Sequence, residues 1–188
     1  MRTEKRELLL EKATELFLKN GYEGTSMRDI AKAVGIQAPG IYHYFKSKKA
    51  ILTEIDEQSW QLFQREVLKY VEKVSDPEEK IKMYVQRMLS FAFLLGTRLN
   101  ILDSSISRKH AKFRKSKDRE VFNVIRDTLI TLSEKKDLPP HIDPTLGAFS
   151  LYNLVASTHK WYNPKGRLDP DTLADQITRL FLYGYYGR

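Results

Sequence analysis

The sequence contains no cysteine. This excludes disulfide cross-links, thiolate metal sites and a thiol nucleophile, and it fits a reducing compartment. It also lacks any run approaching the ~18–20 apolar residues that a membrane span needs. The opening stretch, "MRTEKRELLLEKATELF", is charged throughout and has no apolar core of signal-peptide length. The expectation is a cytoplasmic protein with no membrane partner. Catalytic signatures are missing as well. The four histidines, His43, His110, His141 and His159, form no HExxH, and no phosphate-cradling glycine loop or serine elbow is present. We therefore expect no enzyme, no metal site and no resident cofactor. No segment reads as a convincing strand, an internal repeat or a low-complexity tract.

What is present is ordinary in kind and uneven in distribution. A chain of 188 residues can bury a substantial core as one large domain or two small ones. Hydrophobic residues at 41% and charged residues at 30% describe a globular chain, not a disordered one. A net charge of +8 favours an anionic partner, with nucleic acid, a membrane surface or an acidic ligand all compatible. Residues 1–49 carry ten Lys/Arg against six Asp/Glu, so half of the excess sits in about a quarter of the chain.

Apolar residues recur at helical spacing almost everywhere. Leu9, Ala13, Leu16 and Phe17 form one face of a first helix, which Asn20-Gly21 stops. Ser26, with Asp29 three residues on, resembles a capping box; Met27, Ile30, Ala31 and Val34 then form one face, ended by Gly35. A very short third helix begins near Gln37–Pro39, where proline's missing N–H costs nothing. Ser47 caps a long helix over about 48–74. Asp76-Pro77 breaks the chain and "EEK" opens another helix, roughly 78–95, and further helices are expected over 98–106, 108–136, 144–160 and 170–186. The fold class is all-α, with about nine helices arranged as a three-helix head and a larger helical body.

A short helix, a glycine turn and a second short helix, basic at both borders, have the spacing of a helix-turn-helix. Ile41 and Phe45, four apart, can anchor the third helix against Leu16, Phe17, Ile30 and Val34. That leaves Gln37, Ala38, Gly40 and His43 outward, the small pair permitting close approach to a groove floor. Tyr42, His43 and Lys48 can donate to phosphates. Ser26 offers an anion contact at a helix start, and Arg28 can reach a base edge, preferably guanine. Tyr44 reads as core and Lys49 as plain surface. With Thr25 and Lys46, these residues make up the candidate DNA-binding set. The bland alternative is a common helix–glycine–helix turn whose basic borders are simply solvated.

The stretch "ATELFLKNGYEGTSMRDIAKAVGIQAPGIYHYFKSKKAIL" resembles the N-terminal domain of TetR-family transcriptional regulators, over residues 4–52 almost without gaps. Shared features are the Leu-Phe and Gly-Tyr of the first helix, Thr25-Ser26, Ile30-Ala31, the Val-Gly turn, Tyr42-His43-Tyr44-Phe45 and Lys48. Gln37 and Gly40 depart from the small hydroxyl residues found in many members, so the resemblance leaves the operator sequence undetermined. It implies a DNA-binding domain over residues 1–47 and a ligand-binding and dimerisation domain over 48–188.

In that second region, Leu146, Phe149 and Leu154 on one helix and Ile177, Leu180, Phe181 and Tyr185 on the next are expected at a homodimer interface. Two heads about one DNA turn apart would then read a palindromic double-stranded operator. Three features point to an effector. "MLSFAFLLGTRLNIL" (88–102) can line an apolar tunnel, and "SRKHAKFRKSKDR" (107–119) holds seven Lys/Arg against one Asp. "HKWYNPKGRL" (159–168) resembles a connection in TetR-type regulators that respond to acyl-coenzyme A thioesters of lipid, fatty-acid or steroid degradation. An acyl-CoA joins a greasy tail to a phosphorylated head. The tail is expected near Phe91, Leu95, Phe122, Tyr152 and Trp161, and the phosphates near Arg98, Arg108, Lys109 or Lys112. The alternatives are another lipophilic ligand, or control by a protein partner.

Overall fold

Proline and aspartate together set where several helices begin. In the computed structural model, which describes residues 2–95, 111–135, 143–163 and 165–185, three helices start at an Asp-Pro pair. Asp76 accepts from the N–H groups of Glu78 and Glu79, Asp143 from Thr145 and Leu146, and Asp169 from Asp171 and Thr172. Each aspartate satisfies N–H groups that a helix start leaves unpaired, and each proline sits where its missing N–H costs nothing.

The helices run in the order α1 (Arg2–Asn20), α2 (Met27–Ala33), α3 (Ala38–Ile41), α4 (Lys48–Phe63), α5 (Pro77–Leu95), α6 (Ala111–Lys135), α7 (Pro144–Ala156) and α8 (Pro170–Tyr185). Helix α4 continues through a π-helical turn, Gln64–Leu68, into a last α-helical turn, Lys69–Val71. A 3₁₀ turn, Thr158–Lys160, follows α7. No strand occurs among the described residues. The helix expected over 98–106 lies outside the described residues. The π turn was not foreseen. It widens the helix by one residue, and the adjacent Val67 and Leu68 are both buried there.

The described residues fall into two compact units, one built from residues 2–62 and the other from residues 63–95 and 112 onwards. The first has one core. Leu9, Leu10, Ala13 and Phe17 of α1 meet Ile30 and Ala31 of α2, Ile41 of α3, Phe45, and Ile51, Leu52 and Ile55 of α4. Arg6 pairs with Glu54 and lies 4.7 Å from the centroid of the Phe45 ring, so a cation covers one edge of that core. In the second unit α5 is the hub: α8 packs against it most extensively, and α7 and the π turn also rest on it. Phe63 meets Phe91 edge-on at 5.3 Å between ring centroids.

Candidate nucleic-acid interface

The turn between α2 and α3 is built by backbone geometry. Gly35 adopts φ +70, a left-handed conformation that glycine reaches without a Cβ penalty. Its N–H donates to the Lys32 carbonyl at 3.1 Å, and the Ile36 N–H donates to Ala31 at 3.0 Å. This pair of bonds is a Schellman stop, and Ile36 packs on the same core as Ala31. The chain then enters α3, only four residues long, with a tight turn at each step. Tyr42 and His43 donate to Pro39 and Gly40, and Tyr44 and Phe45 both donate to Ile41. So short a helix has little stability of its own. It is held because Ile41 (0% exposed), its last residue, and Phe45, four residues on, are buried in the same core.

What this segment leaves outward is polar and bare. Gln37, Tyr42, His43 and Lys46 are exposed, as is Arg28 on α2, while Ala38 and Gly40 are half-covered. The Gln37 side chain makes no capping bond. A Cβ placed on Gly40 would meet no protein atom within 4 Å, so nothing in the chain's own packing demands glycine there. Pro39 is exposed too; sequence reasoning used it only as a helix starter and missed that it lies on this face. Tyr44 packs partly buried on the core, and Lys49 is exposed.

Two expected DNA contacts, Thr25 and Lys48, are committed inward instead, and a third, Ser26, is engaged in a helix cap at the surface. Thr25 is 1% exposed, and its hydroxyl hydrogen-bonds to the carbonyls of Gly21 at 2.8 Å and Leu16 at 3.2 Å. It pins the end of α1 and does not face outward. The Lys48 ammonium donates to the carbonyls of Tyr22 at 2.5 Å and Thr25 at 2.8 Å, and sits 4.2 Å from the centroid of the Tyr22 ring. Charge-assisted bonds of this kind are the strong ones, so Lys48 is a latch between α4 and the α1–α2 turn. Ser26 caps α2. Its hydroxyl donates to the Asp29 carboxylate at 2.6 Å and accepts from the Asp29 N–H, while its own N–H donates to the same carboxylate at 2.8 Å. The Ser26 hydroxyl, and then its backbone N–H, hold the Asp29 carboxyl below the ordinary carboxylate range. The Asp29 carboxylate therefore already satisfies the backbone N–H of Ser26 at this helix start, while Ser26 itself stays exposed.

In the second unit the expected sites separate. Ile177 and Phe181 are buried within the chain, a correction to their place at an interface: they fall on the face of α8 that packs inward. Leu154 is half-buried, whereas Leu146, Phe149 and Leu180 (67% exposed) stand out, together with Tyr183. The Tyr185 side chain lies outside the described residues. Of the expected effector contacts, Phe91 is buried, and Phe122 and Tyr152 are half-buried. Phe122 lies 4.4 Å from Phe149 between ring centroids. Trp161 is 58% exposed, so it lines no interior; its chain segment turns outward while Tyr162 donates to the Leu168 carbonyl at 2.6 Å. Arg98, Arg108 and Lys109 lie outside the described residues, as do the side chains of Leu95 and Lys112. No group of three or more metal-ligating side chains occurs among the described residues, nor does any helix long and apolar enough to cross a membrane.

A buried-anchor helix-turn-helix that presents a polar, sterically bare short helix defines a DNA-binding regulator. Residues 9–55 match the family described as bacterial regulatory proteins, tetR family, and residues 74–185 match the tetracyclin repressor-like C-terminal domain. The chain belongs to the tetR family of bacterial regulatory proteins. It is 26% identical to the HTH-type transcriptional repressor KstR2 of Mycolicibacterium smegmatis, covering 96% of this chain and 90% of that protein. It is also 26% identical to the uncharacterized HTH-type transcriptional regulator YhgD of Bacillus subtilis, covering 93% of each. Among solved structures it resembles AibR in complex with isovaleryl coenzyme A and operator DNA. That match has a TM-score of 0.79 and 26% identity, and covers 94% of this chain and 97% of that one.

Proposed function

We propose that the protein is a homodimeric transcriptional repressor, located in the cytoplasm, which binds a palindromic operator and is released by an acyl-CoA or related CoA thioester. It acts by binding and not by turnover. The observation that carries the DNA-binding half is the exposed set Gln37, Tyr42, His43 and Lys46 beside Arg28, over a helix anchored by buried Ile41 and Phe45. The DNA-binding domain is assigned to residues 1–47, with 48–188 forming the effector and dimer domain. In this reading Leu146 and Phe149 on α7 join Leu180 and Tyr183 on α8 as the self-complementary surface. Each pair lies three residues apart on one face of its helix, and α7 packs against α8.

The effector assignment draws on AibR, crystallised with isovaleryl coenzyme A and operator DNA. The acyl chain is assigned to the neighbourhood of Phe91, Leu95, Phe122 and Tyr152, and the phosphates to Arg98, Arg108, Lys109 or Lys112. Release follows by linkage. A ligand that binds one arrangement of the dimer better than the DNA-binding arrangement must weaken DNA binding by the same factor. A 100-fold release needs about 2.7 kcal/mol of differential affinity. Helix α4 and its continuation run from Lys48 to Val71, and this helix is the assigned lever.

Two head substitutions separate the roles. Tyr42→Ala is expected to weaken binding to every duplex by about 10-fold, because a phosphate contact carries no sequence information. Arg28→Ala is expected to relax preference at one base pair, by about 1–3 kcal/mol. Fluorescence anisotropy on a panel of single-base operator variants reads both. Uniform and equal losses would contradict a base-reading Arg28. For the effector, saturation with the cognate acyl-CoA at about 100 times its dissociation constant is expected to stabilise the fold by about 2.7 kcal/mol and to release operator DNA. A thermal-shift panel in which no acyl-CoA moves the transition overturns this half, leaving a different lipophilic ligand or a protein partner.

A further inference from the structure

The second unit buries a hydroxyl that nothing satisfies. Tyr84 is 1% exposed, and its hydroxyl finds no hydrogen-bond partner among the described residues. Native interiors rarely tolerate this, because a buried polar group without a partner costs about 1–3 kcal/mol. Tyr84 sits midway along α5, the helix on which α7, α8 and the π turn converge. Ile81, Met88 and Phe91, at −3, +4 and +7 on the same helical face, are all buried and apolar. A bridging water needs two to four polar partners; Tyr84's own helical face supplies none, and the Tyr152 phenol is the polar group that acts on it. Burial, and to a lesser degree the nearby Tyr152 phenol, push the Tyr84 hydroxyl well above the ordinary tyrosine range. It therefore stays protonated at neutral pH and is available as a donor.

An occupant that suits such a donor is apolar over most of its length and carries one isolated acceptor. An acyl thioester has this build: a hydrocarbon chain interrupted by a single carbonyl oxygen. We infer that the Tyr84 hydroxyl is the buried donor that receives the carbonyl of the effector's acyl group, fixing how far the chain enters the body. This rests on the acyl-CoA reading above and adds the residue that recognises the thioester itself. A hydrocarbon chain alone gains nothing at Tyr84, so the hydroxyl selects for the carbonyl and fixes its depth.

The test uses the full-length protein, the conservative variant Tyr84→Phe, and calorimetric titration with isovaleryl-, octanoyl- and palmitoyl-coenzyme A. The thioether analogue of whichever thioester binds, which lacks the carbonyl, completes the cycle. Removing an unpaired hydroxyl leaves the ring in place, so ligand-free Tyr84→Phe is expected to melt at the wild-type temperature or above it and to bind operator DNA normally. Its affinity for the thioester is expected to fall about 10- to 100-fold, while the thioether binds wild type and variant alike. Thioester affinity equal in both proteins overturns the role of Tyr84 and leaves the effector class standing. A lower melting temperature for ligand-free Tyr84→Phe overturns it as well, since the hydroxyl would then have a structural partner. If none of the three thioesters binds wild type, the acyl-CoA reading and the role of Tyr84 fall together.

Discussion

Ile41→Ala is expected to abolish operator binding and to cost about 3 kcal/mol of stability. Ile41 is wholly buried, in contact with a core drawn from α1, α2 and α4. Its truncation loses transfer free energy and leaves a cavity that so small a core closes poorly. The larger consequence is geometric. Helix α3 has four residues and little helical stability of its own, so its direction depends on Ile41 and Phe45 being seated. Without the first anchor, Gln37, Tyr42 and His43 lose their fixed placement even where the rest of the chain stays folded. Urea denaturation and anisotropy on the same samples check both effects. Ile41→Val is the control, expected to cost about 1 kcal/mol and to keep DNA binding. An Ile41→Ala protein of wild-type stability and affinity would show that the short helix is held by something else.

Leu180→Glu is expected to convert the proposed dimer to a monomer. Leu180 is two-thirds exposed in the single chain, so a glutamate there is harmless to the isolated fold. It becomes costly only when a partner covers it, because an unpaired charge does not enter an apolar interface. Sedimentation velocity should then report the single-chain mass of 22.0 kDa, with an unchanged helical circular dichroism signal. Operator affinity should fall by about 10²–10⁴-fold, the advantage that linking two weak heads confers. Phe149→Glu on α7 should behave in the same way. Ile177→Glu should instead unfold the body, because Ile177 is buried within the chain. If Leu180→Glu stays dimeric, the α7–α8 surface is not the interface. The two substitutions are separable: Ile41→Ala is expected to remove DNA binding by disturbing each head, Leu180→Glu by separating intact heads.

Much of the fold was legible because its signals are local. Three Asp-Pro pairs mark helix starts, and Gly21 and Gly35 adopt the positive φ that their helix-ending positions require. The capping box joins Ser26 to Asp29. All of these act within about four residues, so spacing alone reveals them. The anchors Ile41 and Phe45 were legible for the same reason, since an i, i+4 apolar pair in a short segment has only one face on which to bury. The resemblance of residues 4–52 to a known family drew on the same local pattern, and the match over residues 9–55 agrees with it.

The chain by itself therefore determined that the protein is all-helical and that its front end carries a helix-turn-helix. It could not determine which way the polar side chains point. Thr25 and Lys48 read as DNA contacts, Lys48 as a phosphate donor, yet Lys48 finds its acceptors 23 and 26 residues away in the carbonyls of Thr25 and Tyr22. Those carbonyls come within reach only once α4 has packed against the α1–α2 turn. The same holds for α8, where inward Ile177 and Phe181 and outward Leu180 and Tyr183 are alike in hydrophobicity and differ only in what stands opposite them. Tyr84 is the clearest case, because only the folded chain shows that none of the described residues accepts from its buried hydroxyl. Local periodicity reports which residues share a face; the free energy of a polar or apolar group depends on what that face meets, and only the folded chain supplies it.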